Sequence, residues 1–135
     1  MPEEESGDFS YADDAELVEQ FVTWTSEAVD ELKAIVADLD GSELKSDAKA
    51  ARIYDLTHNI KGMGGSFDFP LMTFAGGSLC AYIKNLAEGK NLSARVIDAH
   101  VKVFDVVLAH KIQGDGGEKG VALQNRLETI ISENT

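Results

Sequence analysis

The chain has 135 residues, 44% of them hydrophobic, with 12 Lys plus Arg against 24 Asp plus Glu and a formal net charge of -12; this size suits one globular domain with a contiguous core. So negative a surface repels phosphate backbones and anionic headgroups, which argues against nucleic acid and membranes as partners. The single cysteine, Cys80, has no internal disulfide partner, and with a start that lacks the basic and apolar regions of a signal peptide it points to the cytoplasm.

Residues 1–12 (MPEEESGDFSYA) are acidic with little apolar periodicity and read as a mobile tail, although Phe9 and Tyr11 can dock onto the domain formed by 13–135. From Asp13 the pattern changes. Leu17, Phe21, Trp24, Ala28, Leu32, Ile35 and Leu39 recur in steps of three and four, which predicts a first helix over 13–40, capped by Asp13 or Asp14 and stopped at Gly41, with Trp24 in the core. Ser46 then serves as N-cap for a second helix whose stripe is Ile53, Leu56, Ile60, Met63 and Phe67.

Pro70 suits the first turn of a third helix, where a missing N–H costs nothing; Leu71, Phe74, Ala75, Leu79, Tyr82, Ile83 and Leu86 supply its buried face up to Gly89. Cys80, beside that stripe, reads as an inert packing residue. Ser93 can cap a fourth helix carrying Val96, Ile97, His100, Val103, Phe104, Val107 and Leu108, which ends in the loop of Gly114 to Gly117. A fifth, shorter helix carries Leu123, Leu127, Ile130 and Ile131. No segment approaches the ~20 apolar residues of a membrane span, and no strand-like alternation occurs. The expected fold is all-α: an antiparallel four-helix bundle with the C-terminal helix packed alongside.

The stripe of the second helix fixes its inward direction, and at about 100° per residue His58 projects to nearly the opposite side. His58 should therefore face water. Lys61, three residues on, can lean beside it, and Gly62 and Gly65 fall on the same outward face. Each glycine inside a helix costs about 0.5–1 kcal/mol relative to alanine, so the glycines at 62, 64 and 65 need a compensating role. Close approach of a partner backbone is one such role; close helix packing at Gly64, or fraying before Pro70, are the others. A neutral imidazole is a competent nucleophile near neutral pH, and an ammonium beside it attracts phosphoryl oxygens. Ala51, Tyr54 and Phe69 lie toward the His58 side of the wheel and are candidates, with Gly65, for partner contact.

The run His58-Asn59-Ile60-Lys61-Gly62, followed by Gly64-Gly65-Ser66-Phe67, resembles the His-x-x-Lys-Gly signature of the histidine-containing phosphotransfer (HPt) domains of two-component phosphorelays. The likeness extends loosely from Leu17 to Leu108 and is specific over residues 56–86. It implies a bundle without kinase or phosphatase chemistry of its own, in which His58 accepts a phosphoryl group, Lys61 helps hold it and Gly62 permits close docking. The implied partners are receiver domains, which supply an acidic pocket and Mg²⁺, and a histidine or hybrid kinase; no cofactor or metal of the chain's own is implied. The chain departs from the pattern at Gly64, where Ser or Ala is common, and at Asp68, where glycine is frequent. A monomer is expected, since one carrier site needs no second subunit.

The rival reading is a non-phosphorylated interaction module that uses the same face, with His58 incidental. A sensor-kinase core is disfavoured by the lack of a Gly-rich nucleotide motif of the Walker type. Metal chemistry is disfavoured because His58, His100 and His110 lack the HExxH spacing and Cys80 lacks a CxxC partner. His100 reads as a satisfied core or interhelical histidine. His110 and Lys111 suit the negative end of the fourth helix.

Overall fold

A computed structural model describes residues 14–112, 114 and 116–134; the proposed tail at 1–12, with Phe9 and Tyr11, and the cap at Asp13 lie outside them. The described residues form five helices: α1 (Ala15–Ala37), α2 (Ala48–Ser66), α3 (Pro70–Asn85), α4 (Ala94–Ala109) and α5 (Gly117–Glu133). Among the described residues there is no strand, only an isolated bridge between Leu44 and Asn91. No described helix is long and apolar enough to cross a membrane.

Local chemistry sets most of the boundaries. The Asp14 carboxylate accepts from Glu16 N at 3.0 Å and Leu17 N at 3.1 Å, satisfying two of the amide groups that a helix start leaves without partners. α1 stops at Ala37, short of the expected 40, because Asp38 N turns back to the Ile35 carbonyl and closes the last turn. The next loop is held by Glu43, 5% exposed, whose carboxylate accepts from Asp40 N and Gly41 N while its carbonyl accepts from Leu92 N at 2.8 Å. Asp47, not Ser46, is the residue before α2, and its side chain accepts from Leu44 N rather than capping the helix. Pro70 opens α3 and Ser93 caps α4 through Val96 N, both as expected. α4 ends at Ala109 with His110 as its cap, before the glycine loop rather than within it.

α1 packs on α2 and α4, α2 most extensively on α3, α3 also on α4 and α5, and α4 on α5. One hydrophobic core results, running from Phe21 and Leu32 through Ile53, Ile60, Leu79, Ile97 and Phe104 to Leu127 and Ile130. Ion pairs clasp the surface: Arg52 grips both oxygens of Glu31 across α1 and α2, and Lys33 meets Asp105 across α1 and α4. The guanidinium of Arg52 holds the Glu31 carboxyl below its ordinary range.

His100 is fully buried, as its apolar neighbours in sequence suggested. Its Nδ1 lies 2.7 Å from the Val96 carbonyl and its Nε2 2.9 Å from Ser78 Oγ. A carbonyl can only accept, so Nδ1 carries the proton and Nε2 accepts from the serine hydroxyl in the neutral ring. Burial pushes the His100 pKa below its ordinary 6.5, opposed in part by the Val96 carbonyl. The unfolded chain then binds more protons as pH falls below 6.5, so the stability that neutral His100 contributes is complete above that value and lost beneath it. Urea midpoints at pH 7.5 and 5.5 should fall further for the natural chain than for His100→Gln; equal falls would remove His100 as the cause.

Candidate functional site

His58 is exposed on α2, on the side away from Ile53, Leu56 and Ile60, all buried. Tyr54, one turn earlier and half-buried, lies parallel to it, with ring centroids 6.1 Å apart and planes 6° apart. Ala51, exposed a further turn back, lines with Tyr54 a groove of about 460 Å³ between α2 and α3 that also carries Lys45 and Lys84. His58, Lys61, Gly62, Gly65, Ala51 and Tyr54 thus all reach the surface of the same helix.

Phe69 does not. It is fully buried and stacks on Phe21 with centroids 5.2 Å apart, so it belongs to the core and not to a docking surface. The reason is that α2 ends at Ser66, and Asp68, with φ of 63°, turns the chain inward before Phe69. A helical wheel has no meaning beyond that point. Asp68 takes the left-handed conformation that glycine adopts most easily and that Asp tolerates better than most residues. Two further expectations are corrected: Trp24 and Met63, both assigned to the core, are 40% and 39% exposed.

The glycines of α2 divide into two kinds. A Cβ on Gly62 would meet nothing within 4 Å, and one on Gly65 would touch only Thr73 Oγ1 at 4.0 Å. A Cβ on Gly64 would sit 2.6 Å from Thr73 Oγ1 and 3.0 Å from the Phe69 carbonyl. Gly64 therefore serves packing against α3, whereas Gly62 and Gly65 leave a bare outer surface near His58.

Lys61 is exposed, but its backbone is fixed. Thr73 Oγ1 donates to the Lys61 carbonyl at 3.0 Å, and a Cβ on Gly76 would lie 2.9 Å from Lys61 Cβ and 3.1 Å from its Cα. The Lys61 stem passes over Gly77, whose Cβ would meet Cε at 3.8 Å and Cδ at 3.9 Å. Helical side chains lean toward the N-terminus, which carries this ammonium back along α2 toward the level of His58. Its charge reaches Cys80, where it partly offsets the burial that raises the thiol's pKa. That buried, protonated thiol is unreactive.

Thr73, Gly76 and Gly77 are the residues missed by the sequence reading. The Gly-Gly pair inside a helix was the available signal, but its meaning depends on which α2 residue lies opposite. Gly76→Ala should force α2 and α3 apart at Lys61 and lower stability by about 1–3 kcal/mol, despite the better helix propensity of alanine. Chemical denaturation measures this; unchanged stability would show that the Lys61 backbone is free to move.

Among the described residues no three His, Cys, Asp or Glu side chains are grouped to hold a metal ion. Compared with protein-family profiles, with characterised proteins and with solved structures, the chain gives no match.

Proposed function

We propose that the chain is a histidine phosphotransfer protein, a carrier without kinase or phosphatase activity that receives a phosphoryl group on His58 and passes it on within a phosphorelay. The observation that carries this reading is an exposed imidazole and an exposed ammonium on one helix, with open space before Gly62. The donors and acceptors are receiver-domain aspartates, fed by a histidine or hybrid kinase, in the cytoplasm, and the carrier acts as a monomer. Its proposed framework is an antiparallel four-helix bundle of α1 to α4 with α5 alongside. The cyclic packing of these helices supports it, as do the pairs Phe21–Phe67 and Glu31–Arg52, which run in opposite senses along α1 and α2.

In the forward step the lone pair of the unprotonated ring nitrogen attacks the phosphorus of an aspartyl phosphate. The P–O bond to the receiver breaks as the P–N bond forms, and its electron pair leaves on the carboxylate. The other ring nitrogen can then shed its proton to water. Lys61 stabilises the charge on the equatorial oxygens; a Mg²⁺ ion held by the receiver's acidic pocket would neutralise negative charge on the group being transferred. Everything this chain supplies is a nucleophile, a cation and their placement.

Direct labelling with phosphoramidate, followed by addition of unphosphorylated receiver domains, tests the reading. An acid-labile, alkali-stable phosphate on His58 that moves to a receiver is the expected result. A chain that stays unlabelled, or a label confined to another residue, would sink it.

A further inference from the structure

Among the described residues three large apolar side chains stand exposed, Trp24 on α1, Met63 on α2 and Val121 on α5; the first two belong to the packed pair α1 and α2. The seam between these helices has a fixed register. Phe21 stacks on Phe67 at 4.7 Å at one end, and Arg52 clasps Glu31 at the other. Trp24 lies three residues beyond Phe21 and Met63 four residues before Phe67, each about one helical turn from the stacked pair. The two therefore sit at one level of the seam. The same turn of α2 carries Lys61 and Gly62, where a Cβ would meet nothing within 4 Å, so the open surface beside His58 and the level of Trp24 and Met63 fall on one turn of the helix.

Charge indicates what covers this surface. A groove of about 360 Å³ in front of Trp24 is lined by Glu16, Glu19, Gln20, Thr23 and Glu27. Of these acids Glu19 pairs with Lys111, whereas Glu16 and Glu27 have no ion pair among the described residues. An apolar anchor within an acidic rim fits an apolar pocket surrounded by Lys and Arg. Residues 1–13, with Glu3, Glu4, Glu5, Asp8 and Asp13, have the wrong sign for this rim. So does a second copy, since a two-fold contact would set acid against acid.

We infer that Trp24 and Met63 anchor the receiver domain that exchanges phosphoryl groups with His58, and that the receiver carries basic residues where it faces α1. The inference rests on the phosphocarrier reading above. Size supports it: a standard interface covers about 800 Å² of each partner, a disc roughly 30 Å across, whereas a single helix is about 10 Å wide. A receiver centred on His58 must rest on a neighbouring helix as well as on α2. The basic rim also answers the charge problem, because a partner with an acidic pocket would otherwise be repelled by a carrier of net charge -12.

Trp24 is the only tryptophan, so its emission reports on this surface directly. The full chain is titrated with each purified receiver domain of its source organism, and the receiver with the fastest transfer is taken forward. Its binding should shift the Trp24 emission to shorter wavelength and reduce quenching by acrylamide. Trp24→Ala and Met63→Ser should each raise KM for that receiver about tenfold, the loss expected of an interface anchor. The rate at saturation and the direct labelling of His58 by phosphoramidate should not change. Combined Glu16→Lys and Glu27→Lys should raise KM and flatten its dependence on salt. Unchanged emission at saturating receiver, or unchanged KM in the variants, overturns the inference while leaving the carrier intact. Emission that shifts with concentration of the chain alone, or on removal of residues 1–13, assigns the surface to another occupant and overturns the inference too. No transfer with any receiver removes the phosphocarrier reading, and this surface with it.

Discussion

His58→Gln should abolish phosphoryl acceptance altogether, with label from phosphoramidate or from a receiver falling below detection while helicity and thermal stability are retained. Glutamine keeps much of the bulk and polarity of histidine but has no nucleophilic nitrogen lone pair, since that of its amide is delocalised into the carbonyl. The side chain is exposed, so the folded state loses little. Lys61→Ala provides a graded companion. Loss of one charge-assisted contact to the transferring group, about 1.5–3 kcal/mol, slows transfer roughly 10- to 100-fold. Measured by rapid quench at saturating receiver, an unaltered rate in Lys61→Ala would confine that residue to packing against α3. Retention of label in His58→Gln would place the chemistry on another side chain.

The second large effect is on stability, and its sign reverses between neighbouring glycines. Gly64→Ala drives a methyl group to 2.6 Å from Thr73 Oγ1 and 3.0 Å from both Thr73 N and the Phe69 carbonyl. The hydroxyl could rotate away, but the backbone atoms could do so only by shifting the start of α3. Overpacking of this kind costs about 1–3 kcal/mol, which outweighs the gain of at most about 1 kcal/mol from helix propensity. At Gly62, where open space awaits the methyl, only the gain remains, so Gly62→Ala should raise stability by about 0.5–1 kcal/mol. The same substitution reduces the bare surface, and a bulkier Gly62→Phe should weaken receiver binding with little loss of stability. Urea denaturation of Gly62→Ala and Gly64→Ala under one set of conditions checks the opposition. Two changes of equal sign would contradict the division of the glycines into open and packed positions.

Helices were legible wherever period and cap chemistry agreed. Ser93 and Pro70 mark true helix starts because capping and the missing proline N–H act within one turn. The outward direction of His58 was legible for the same local reason, since Ile53, Leu56 and Ile60 fix the inward side. Assignments that depended on a neighbouring helix failed. Met63 extends the apolar stripe of α2 on paper, yet it is left at the surface, as Trp24 is on α1. Phe69 was misplaced because helical periodicity was carried past a chain reversal at Asp68. Thr73, Gly76 and Gly77 take their meaning from atoms of Lys61 across the α2–α3 interface. No spacing within one helix encodes such a pairing.

Lys61 is held at its carbonyl by Thr73 and at its Cα by the bare flank of α3, so the proposed site is already assembled before any partner arrives. For the carrier proposed above, the backbone that places Lys61 then needs no rearrangement when a partner docks. The direction of net traffic through such a carrier follows from the relative abundance and phosphorylation potential of the proteins on either side, and a cell could reverse it by changing their supply alone.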